Sequence, residues 1–167
     1  MKYPRLSVLI PNYNHAHFIV DQLDSMINQK VIPYEIIILD DKSTDNSIEV
    51  INSYCKKYNI VKLFKNKKNR GVEYNINKLI NLAKGEYVFL SAADDKVLEG
   101  FFEHSLKMLS KYPQAGGSTG LVRLIGDHNE NKGLRTLPVI SKKACFLNPQ
   151  EVGEISNKYG KWIGISS

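Results

Sequence analysis

The amino-acid sequence predicts an α/β protein with a mostly parallel central sheet and helices on both faces. Short apolar segments rich in β-branched residues alternate with segments whose apolar residues recur every three or four positions. One such pair takes about 25 residues, as a strand–helix unit does. Because a parallel sheet needs a crossover between successive strands, this alternation favours parallel pairing.

The first unit begins with a strand predicted at 6–10, where the short apolar segment LSVLI ends at Pro11. A helix is predicted at 16–28, and a second strand, YEIIILD, is predicted at 34–40. The helical spacing rests on five apolar residues: Phe18, Ile19, Leu23, Met26 and Ile27.

The second helix is expected after the acidic segment DDKSTD. We expect Ser43 or Thr44 to cap this helix, with Asp45 near its positive end. Its apolar stripe consists of Ile48, Ile51 and Cys55.

The third and fourth strands are predicted at 60–64 and 86–91. A helix over 71–83 lies between them, and Gly85 is expected to form its C-terminal end. The fourth helix is predicted at 99–111, where its apolar residues again have helical spacing.

The regular alternation ends at Pro113. A strand pair or a loop is predicted next, with a polar turn at 127–132. A last short helix is expected to start at Pro149, with Asn148 as its cap.

The 167 residues, 43% of them apolar, are enough for one domain with its own core. No run reaches the roughly 18 apolar residues of a membrane span, and the N-terminus lacks the pattern of a signal peptide. The two cysteines, Cys55 and Cys145, fit neither a disulfide framework nor a metal motif. We therefore expect a cytoplasmic protein with reduced thiols.

The net charge of +6 comes largely from the segment 62–70, KLFKNKKNR, in which five of nine residues are basic. This segment is either an anion site or a solvated strand end and loop. Nucleic acid is not expected as a partner, because the segment has no aromatic residue besides Phe64. The charge is compatible with peripheral attachment to the inner face of an anionic membrane.

Four polar segments follow the four predicted strands at their carboxyl ends, where open parallel sheets bind ligands. If the strands pair as predicted, these segments share one edge that carries an aromatic ring, a cation and four carboxylates: Tyr13, Asp40, Asp41, Arg70, Asp94 and Asp95. Such a set suits a nucleotide diphosphate held with a divalent metal. A ring can stack on a base, and carboxylates can bind Mg²⁺ or Mn²⁺.

Each of these residues also has a purely structural explanation. Tyr13 would pack as a loop aromatic. One of Asp40 and Asp41 would cap a helix. Asp94 and Asp95 would only end a strand.

Four segments occur in series: LSVLIPNYN, YEIIILDDKSTD, NRGVEYNIN and AKGEYVFLSAADD. They resemble four motifs of the family-2 glycosyltransferases. These motifs are V-S-V-I-I-P-T-Y-N, E-I-I-V-V-D-D-G-S-T-D, N-x-G-x-x-x-A-x-N, and A-x-G-E-Y-I with an acidic end. The resemblance covers about residues 5–112, in the family's order and spacing.

The resemblance implies a Rossmann-like nucleotide-diphospho-sugar transferase fold of the GT-A type. It also implies inverting, metal-assisted transfer of a sugar from a nucleotide-diphosphate donor to a hydroxyl of a saccharide or lipid-linked acceptor. A UDP-sugar is favoured because the family most often uses it, and surface polysaccharide synthesis is expected on the same ground. The oligomeric state is left open.

The resemblance further assigns six residues to the nucleotide: Pro11, Tyr13, Asp40, Asp41, Arg70 and Asp94. Among these, Tyr13 would stack on the base, Asp41 would contact the base edge and Asp94 would meet the ribose. Asp95 would hold Mn²⁺ or Mg²⁺ at the diphosphate.

The sequence departs from the family pattern in three places. Ala92 stands where the acidic motif D-x-D has its first Asp, and Lys42 stands where D-D-G-S has its glycine. No Glu-Asp pair that would supply the general base follows Asp95, so this base is expected beyond Ser167.

We therefore expect a single donor-binding domain over 1–167. The matched motifs occupy 1–112, and 113–167 would begin the acceptor-side region of a truncated chain.

Three alternatives differ in testable ways. A sugar nucleotidyltransferase has a glycine-rich loop after its first strand, whereas PNYNHAH has no glycine. A phospho-acceptor signalling domain has its acidic pair after the first strand, whereas here the pairs follow the second and fourth. A catalytically incomplete nucleotide-binding module would share the donor site and lack the base.

Overall fold

The computed structural model describes residues 3–120, 122–126, 130–134, 146–148, 150–152 and 154. Within these residues, four strands form a parallel sheet: β1 (Leu6–Asn12), β2 (Glu35–Asp40), β3 (Val61–Lys65) and β4 (Tyr87–Leu90). Four helices follow the strands in turn: α1 (Ala16–Ile27), α2 (Ser47–Lys57), α3 (Val72–Leu82) and α4 (Phe101–Lys111). The predicted fold class is confirmed, and the predicted elements differ from these only at their ends.

The strand order β3-β2-β1-β4 explains why helices flank both faces. Parallel crossovers are right-handed. The steps from β1 to β2 and from β2 to β3 run in one direction, so α1 and α2 lie on one face and pack together. The step from β3 to β4 returns across the sheet, so α3 lies on the other face. The order reverses between β1 and β4, and open α/β sheets bind ligands at the crevice that such a reversal leaves.

Apolar side chains bury the central strands on both sides. On the α3 side, Leu79 packs with Leu9, Ile37 and Leu39. On the opposite side lie four side chains without exposed surface: Val8, Ile10, Ile36 and Ile38. Full burial of one such side chain stabilises the fold by about 1.5–3 kcal/mol. β1 and β2 are therefore almost continuous apolar runs, as central parallel strands usually are.

β1 continues to Asn12, although Pro11 is predicted to end it. The carbonyl oxygen of Leu9 accepts a hydrogen bond from Ser91 N (3.1 Å). The main-chain N–H and C=O groups of the odd-numbered residues of β1 therefore point toward β4. The pairing with β4 ends at Leu90, just before the level of Pro11. Proline has no N–H to donate, but at position 11 no residue of β4 is paired to accept one. Pro11 therefore does not break the sheet.

The predicted caps of α2 are wrong. The helix begins at Ser47 after Asn46, and Ser43 and Thr44 instead belong to the loop after β2. Asp45 carries out the capping, because its Oδ1 accepts the N–H of Ser47 (3.0 Å). Its Oδ2 accepts the first N–H of α1, so one carboxylate serves two helix starts. Desolvation alone would raise the pKa of Asp45, but these hydrogen bonds outweigh it and lower the pKa.

Contacts divide the chain into two compact units, Met1–Leu106 and Lys107–Ser167. The single donor-binding domain over 1–167 therefore stays a prediction. In the second unit, β5 (Arg123–Ile125) pairs antiparallel with β6 (Asn131–Leu134), which confirms the strand pair. Residues 127–129 of the predicted polar turn lie outside the described residues.

Asn148 begins a helical turn, as predicted. Its Oδ1 accepts Glu151 N (3.0 Å), and Glu151 Oε2 accepts Asn148 N (2.8 Å), which forms a reciprocal capping box. Pro149 and Cys145 lie outside the described residues. Across the described ranges, no helix combines the length and apolar character that a membrane span requires.

Gly85 has a different role from the predicted one. α3 ends at Leu82 and the chain continues in an extended conformation at Ala83, without a left-handed glycine. A Cβ at Gly85 would instead lie 2.6 Å from Ser7 N and 2.8 Å from Arg5 O. The glycine is therefore required because β4 begins in direct contact with the backbone of β1.

A buried carboxylate at the start of β2 joins several elements. Glu35 is 1% exposed, and its Oε1 accepts hydrogen bonds from Ser7 Oγ and Lys84 N, both at 2.7 Å. Its Oε2 pairs with Lys62 Nζ at 2.7 Å. Burial alone would raise the pKa of Glu35, but the hydrogen bonds outweigh it and lower the pKa. Glu35 thus fastens β1, β3 and the segment before β4 to β2.

Replacing Glu35 by Gln should lower the free energy of unfolding by about 1–3 kcal/mol at neutral pH. The NH₂ group of the amide would face Ser7, Lys84 or Lys62, which all donate to the carboxylate and cannot all accept a hydrogen bond in return. The folded-state pKa is lowered, so the contribution is present above the reference value of 4.5 and is lost as the pH falls through the folded-state value. Urea unfolding at pH 7 and about pH 3 measures this dependence. Lys62→Met, which removes a partner that is 41% exposed, should cost less. An equal deficit for Glu35→Gln at both pH values would contradict the assignment.

Gly85→Ala should destabilise the protein by about 1–3 kcal/mol, because the new Cβ collides with backbone that must shift. The matched control is Gly116→Ala, where an added Cβ meets no atom within 4 Å. Thermal unfolding of both variants provides the measurement. Equal midpoints for the two variants would show that the close approach at Gly85 costs nothing.

Candidate functional site

The carboxyl ends of the parallel strands lie at one edge of the sheet, as predicted. The segments that follow them form what we call the rim: residues 13–15, 41–46, 66–71 and 91–98. Main-chain hydrogen bonds join neighbouring segments, since Asp41 N donates to Asn12 O and Asn66 N donates to Asp40 O, both at 2.9 Å. The rim is therefore a continuous surface along β1, β2 and β3.

Side-chain hydrogen bonds lock the loops after β1 and β2 together. Asn12 Nδ2 donates to Asp40 Oδ2 (2.9 Å), and Asn14 N donates to Ser43 Oγ (3.0 Å). Asn14 Oδ1 accepts Thr44 N (2.7 Å). Asn14 has a φ of 58°, in the left-handed region that asparagine tolerates better than most residues. The two loops are thus one hydrogen-bonded unit.

Tyr13 stands between the two asparagines of this unit, and 44% of its surface is exposed. Pro11 lies two residues before it, at the end of β1. Because the backbone on both sides is held, the ring of Tyr13 is presented to solvent at the rim. An exposed ring on a fixed backbone can stack on a planar ligand, and a packed loop aromatic would be buried.

Asp40 is fully buried and shapes the turn that follows β2. Its Oδ1 accepts Ser43 N (2.9 Å), and its Oδ2 accepts both Ser43 Oγ and Asn12 Nδ2. The turn places Lys42 at a φ of 66°, in the left-handed region that otherwise favours glycine. Asp40 therefore caps a turn. The structural explanation considered from the sequence was that one of Asp40 and Asp41 caps a helix.

Asp41 is 2% exposed and organises the loop after β3. Its Oδ1 accepts Asn66 Nδ2 and Arg70 N, both at 2.8 Å, and its Oδ2 accepts Gly71 N at 2.8 Å. Burial alone would raise the pKa of Asp41, but the donors from Asn66, Arg70, Asn75 and Gly71 lower it. The carboxylate is therefore ionised and holds the loop against β2.

The loop around Asp41 presents a cation at the rim. The guanidinium of Arg70 lies 4.3 Å from the ring centroid of Tyr74, which is cation–π distance. The main chain of Arg70 is held by Asp41 and its side chain by Tyr74, so the charge has a defined place. The sequence indicated Arg70 but not Tyr74, whose position one turn into α3 was the available signal.

Asparagine side chains complete this part of the rim. Asn66 Nδ2 donates to Asn75 Oδ1 (2.7 Å), and Lys78 Nζ donates to Asn66 Oδ1 (3.0 Å). Asn75 is 2% exposed on α3. A buried asparagine needs partners, so its place on the apolar side of α3 was a signal for such a network.

Asp94 and Asp95 lie on the last segment of the rim, after β4, and both are exposed. Asp95 N donates to Ala92 O (3.3 Å), which closes a turn over Ala92, Ala93, Asp94 and Asp95. Desolvation by surrounding atoms, followed by the negative charge of Asp94, raises the pKa of Asp95. Unlike the pair after β2, this pair remains available to a ligand.

A divalent cation fits the chemistry of this acidic turn. Two adjacent exposed carboxylates offer hard oxygen ligands, and a positive ion would relieve the repulsion between Asp94 and Asp95. Among the described residues, no cluster of three or more His, Cys, Asp or Glu side chains is placed to hold a metal. The two carboxylates would therefore supply only part of the ligand set of such a cation.

The structure thus places the predicted site residues at the carboxyl ends of the strands. Pro11 and Asp40 lie at the ends of β1 and β2, and the others lie on the rim. The acidic residues and Tyr13 differ in their exposure. Asp40 and Asp41 are buried and accept hydrogen bonds from protein donors. Tyr13, Asp94 and Asp95 are exposed, on the two sides of the strand-order reversal between β1 and β4.

The chain is similar in sequence to curated glycosyltransferases and polymer synthases. The chain is 41% identical over 96 residues to poly(ribitol-phosphate) beta-glucosyltransferase of Bacillus spizizenii, which covers 56% of this chain and 15% of the relative. It is 36% identical over 110 residues to chondroitin synthase of Pasteurella multocida, which covers 66% of this chain and 11% of the relative.

The fold also matches solved structures. TarS 1–349 of S. aureus in complex with UDP-GlcNAc superposes with a TM-score of 0.61 at 26% identity, covering 65% of this chain and 32% of that one. TarS 1–349 in complex with UDP matches equally well. The chain therefore has the Rossmann-like GT-A type fold of these transferases. It spans about a third of the TarS 1–349 chain, 15% of the glucosyltransferase and 11% of chondroitin synthase.

The profile of Glycosyl transferase family 2 matches residues 7–158, which is most of the chain. This match includes the whole rim and nearly all of the parallel sheet. The protein belongs to glycosyl transferase family 2.

Proposed function

We propose that the rim binds a nucleotide-diphosphate sugar, with a UDP-sugar favoured, as the donor for inverting transfer to an acceptor hydroxyl. The observation that carries this proposal is the pairing of an exposed ring, Tyr13, with an exposed acidic turn, Asp94 and Asp95, across the β1–β4 reversal. A nucleoside diphosphate has a planar base at one end and a polyanion at the other. The rim offers a matching group for each.

The base would lie on the side of β1, β2 and β3. Tyr13 would stack on it, and Pro11 would line it. Asp41 is held ionised close to the rim, and any lone pair left by its protein donors would accept a base N–H. Asp40 would act through the turn that it fixes. Arg70 would direct its charge toward the nucleotide.

The ribose and diphosphate would lie on the side of β4. Asp94 would accept hydrogen bonds from the ribose hydroxyls, and Asp95 would hold Mn²⁺ or Mg²⁺. When bound, such an ion neutralises the charge that develops on a leaving diphosphate. The loss of the first Asp of D-x-D to Ala92 leaves this task to the adjacent pair.

The choice of UDP and of polysaccharide synthesis has support from relatives. S. aureus TarS has been solved with UDP and with UDP-GlcNAc. Two relatives are named for polymer products, poly(ribitol-phosphate) glucosyl transfer and chondroitin synthesis. We accordingly propose a saccharide or lipid-linked acceptor and work in the cytoplasm, at the inner face of the membrane.

Calorimetric titration with UDP, with and without Mn²⁺, tests the donor site. Tyr13→Ala should weaken UDP binding about tenfold in both conditions, because stacking contributes about 1–3 kcal/mol per base. The matched control is Tyr34→Ala, a similarly exposed ring (46%) placed before β2 at the opposite edge of the sheet. Failure of UDP, GDP and dTDP to bind the folded protein would refute the donor site.

Asp95→Asn should remove most of the tightening of UDP binding by Mn²⁺ and leave metal-free binding within about twofold, because a neutral amide is a poor ligand for a hard cation. Glu49→Gln, an exposed acid in the first turn of α2, is the charge-matched control. A full Mn²⁺ effect in Asp95→Asn would show that another residue holds the metal.

A further inference from the structure

Three polar residues form a stripe that faces the segment after β4. Two of them lie in α1, and the third follows its last residue by two positions. Gln22, Ser25 and Gln29 are spaced by three and four residues, so they lie on one side of the helix line. We call them the α1 stripe. Gln22 and Gln29 are buried, at 0% and 6% exposure, on a side of the helix where apolar residues would be expected.

Each residue of the α1 stripe hydrogen-bonds the main chain of 91–98. Gln22 Nε2 donates to the carbonyl oxygen of Ala92. Ser25 Oγ accepts Val97 N (3.0 Å), and Gln29 Nε2 donates to Leu98 O (3.1 Å). The segment 91–98 has no helix or strand of its own, so these contacts fix its path.

The contact of Gln22 reaches the acidic turn directly. The oxygen of Ala92 accepts both Gln22 Nε2 and Asp95 N, so one carbonyl joins the helix to the turn. Gln22 Nε2 also donates to Ser91 Oγ (3.1 Å), at the point where pairing with β1 ends. Gln22 therefore hydrogen-bonds the first residue of the turn that carries Asp94 and Asp95.

The burial of Gln22 has an energetic cost. Its side chain has no exposed surface, and its Oε1 has no hydrogen-bond partner among the residues that the structure describes. A buried amide with an unsatisfied oxygen is less favourable than an apolar side chain of the same shape, so packing alone does not account for it. Its two donated hydrogen bonds do.

We propose that Gln22 is a positioning residue that holds the turn of Asp94 and Asp95 in the orientation needed for the metal and diphosphate. This inference rests on the proposed donor site and assigns Gln22 no contact with substrate. Gln22 acts through Ala92 O, and the remaining α1 stripe supports the rest of the segment.

Hydrogen exchange in the free protein tests the structural half without a ligand. Gln22→Met keeps the volume and removes both donated hydrogen bonds. Peptides covering 91–98 should exchange about tenfold faster, and those of β1 and β2 should be unchanged. Ile51→Val, a fully buried position on α2, is the control for a general loss of stability. If Gln22→Met does not fold, Gln22→Asn, which keeps the amide and shortens its reach, replaces it.

UDP titration with and without Mn²⁺ tests the functional half. Gln22→Met should lose most of the Mn²⁺-dependent tightening and keep metal-free UDP affinity within about twofold, whereas Ile51→Val should keep both. Unchanged exchange, or faster exchange with a full Mn²⁺ effect, would overturn the positioning role. If the wild-type protein binds no nucleoside diphosphate, the donor site is refuted, and hydrogen exchange alone then decides whether Gln22 orders the turn.

Discussion

The hydrogen bonds to the buried carboxylate of Asp41 are the interaction on which the rim depends. A carboxylate removed from water must replace its hydration with protein donors, and here those donors are two main-chain N–H groups and an asparagine of the loop after β3. The loop therefore closes around the charge, and opening the loop would break all of these hydrogen bonds together. The position of Arg70, and through it the ring of Tyr74, depends on this requirement.

The two acidic pairs have opposite environments because their neighbours in the chain differ. The pair after β2 precedes Lys42, Ser43 and Thr44, whose turn directs N–H and hydroxyl groups back at Asp40. The pair after β4 follows two alanines and lies in an exposed turn beyond the end of the strand. The pKa of Asp41 is accordingly lowered and that of Asp95 is raised. One pair organises the protein, and the other is left for a ligand.

The fold and the rim could be predicted from the sequence, whereas the contacts between residues far apart in the chain could not. Apolar spacing is a local signal, so it predicted every strand and helix of the sheet, and parallel pairing then brought the four segments to one edge. The roles of Glu35, Gly85 and Gln22 depend on partners far along the chain, such as Lys84, Ser7 and Ala92. Local capping rules failed at Ser43 for the same reason, because Asn14 engages it from another loop.

The rim is held in two independent ways on the two sides of the strand-order reversal. On the side of β1, β2 and β3, buried carboxylates and asparagines tie successive loops to one another. On the side of β4 the sheet pairing ends at Leu90, and the α1 stripe takes over. α1 is the common support, since its first N–H is held by Asp45 of the loop after β2. The proposed donor would span the reversal, and both sides of the rim that it would meet contact α1.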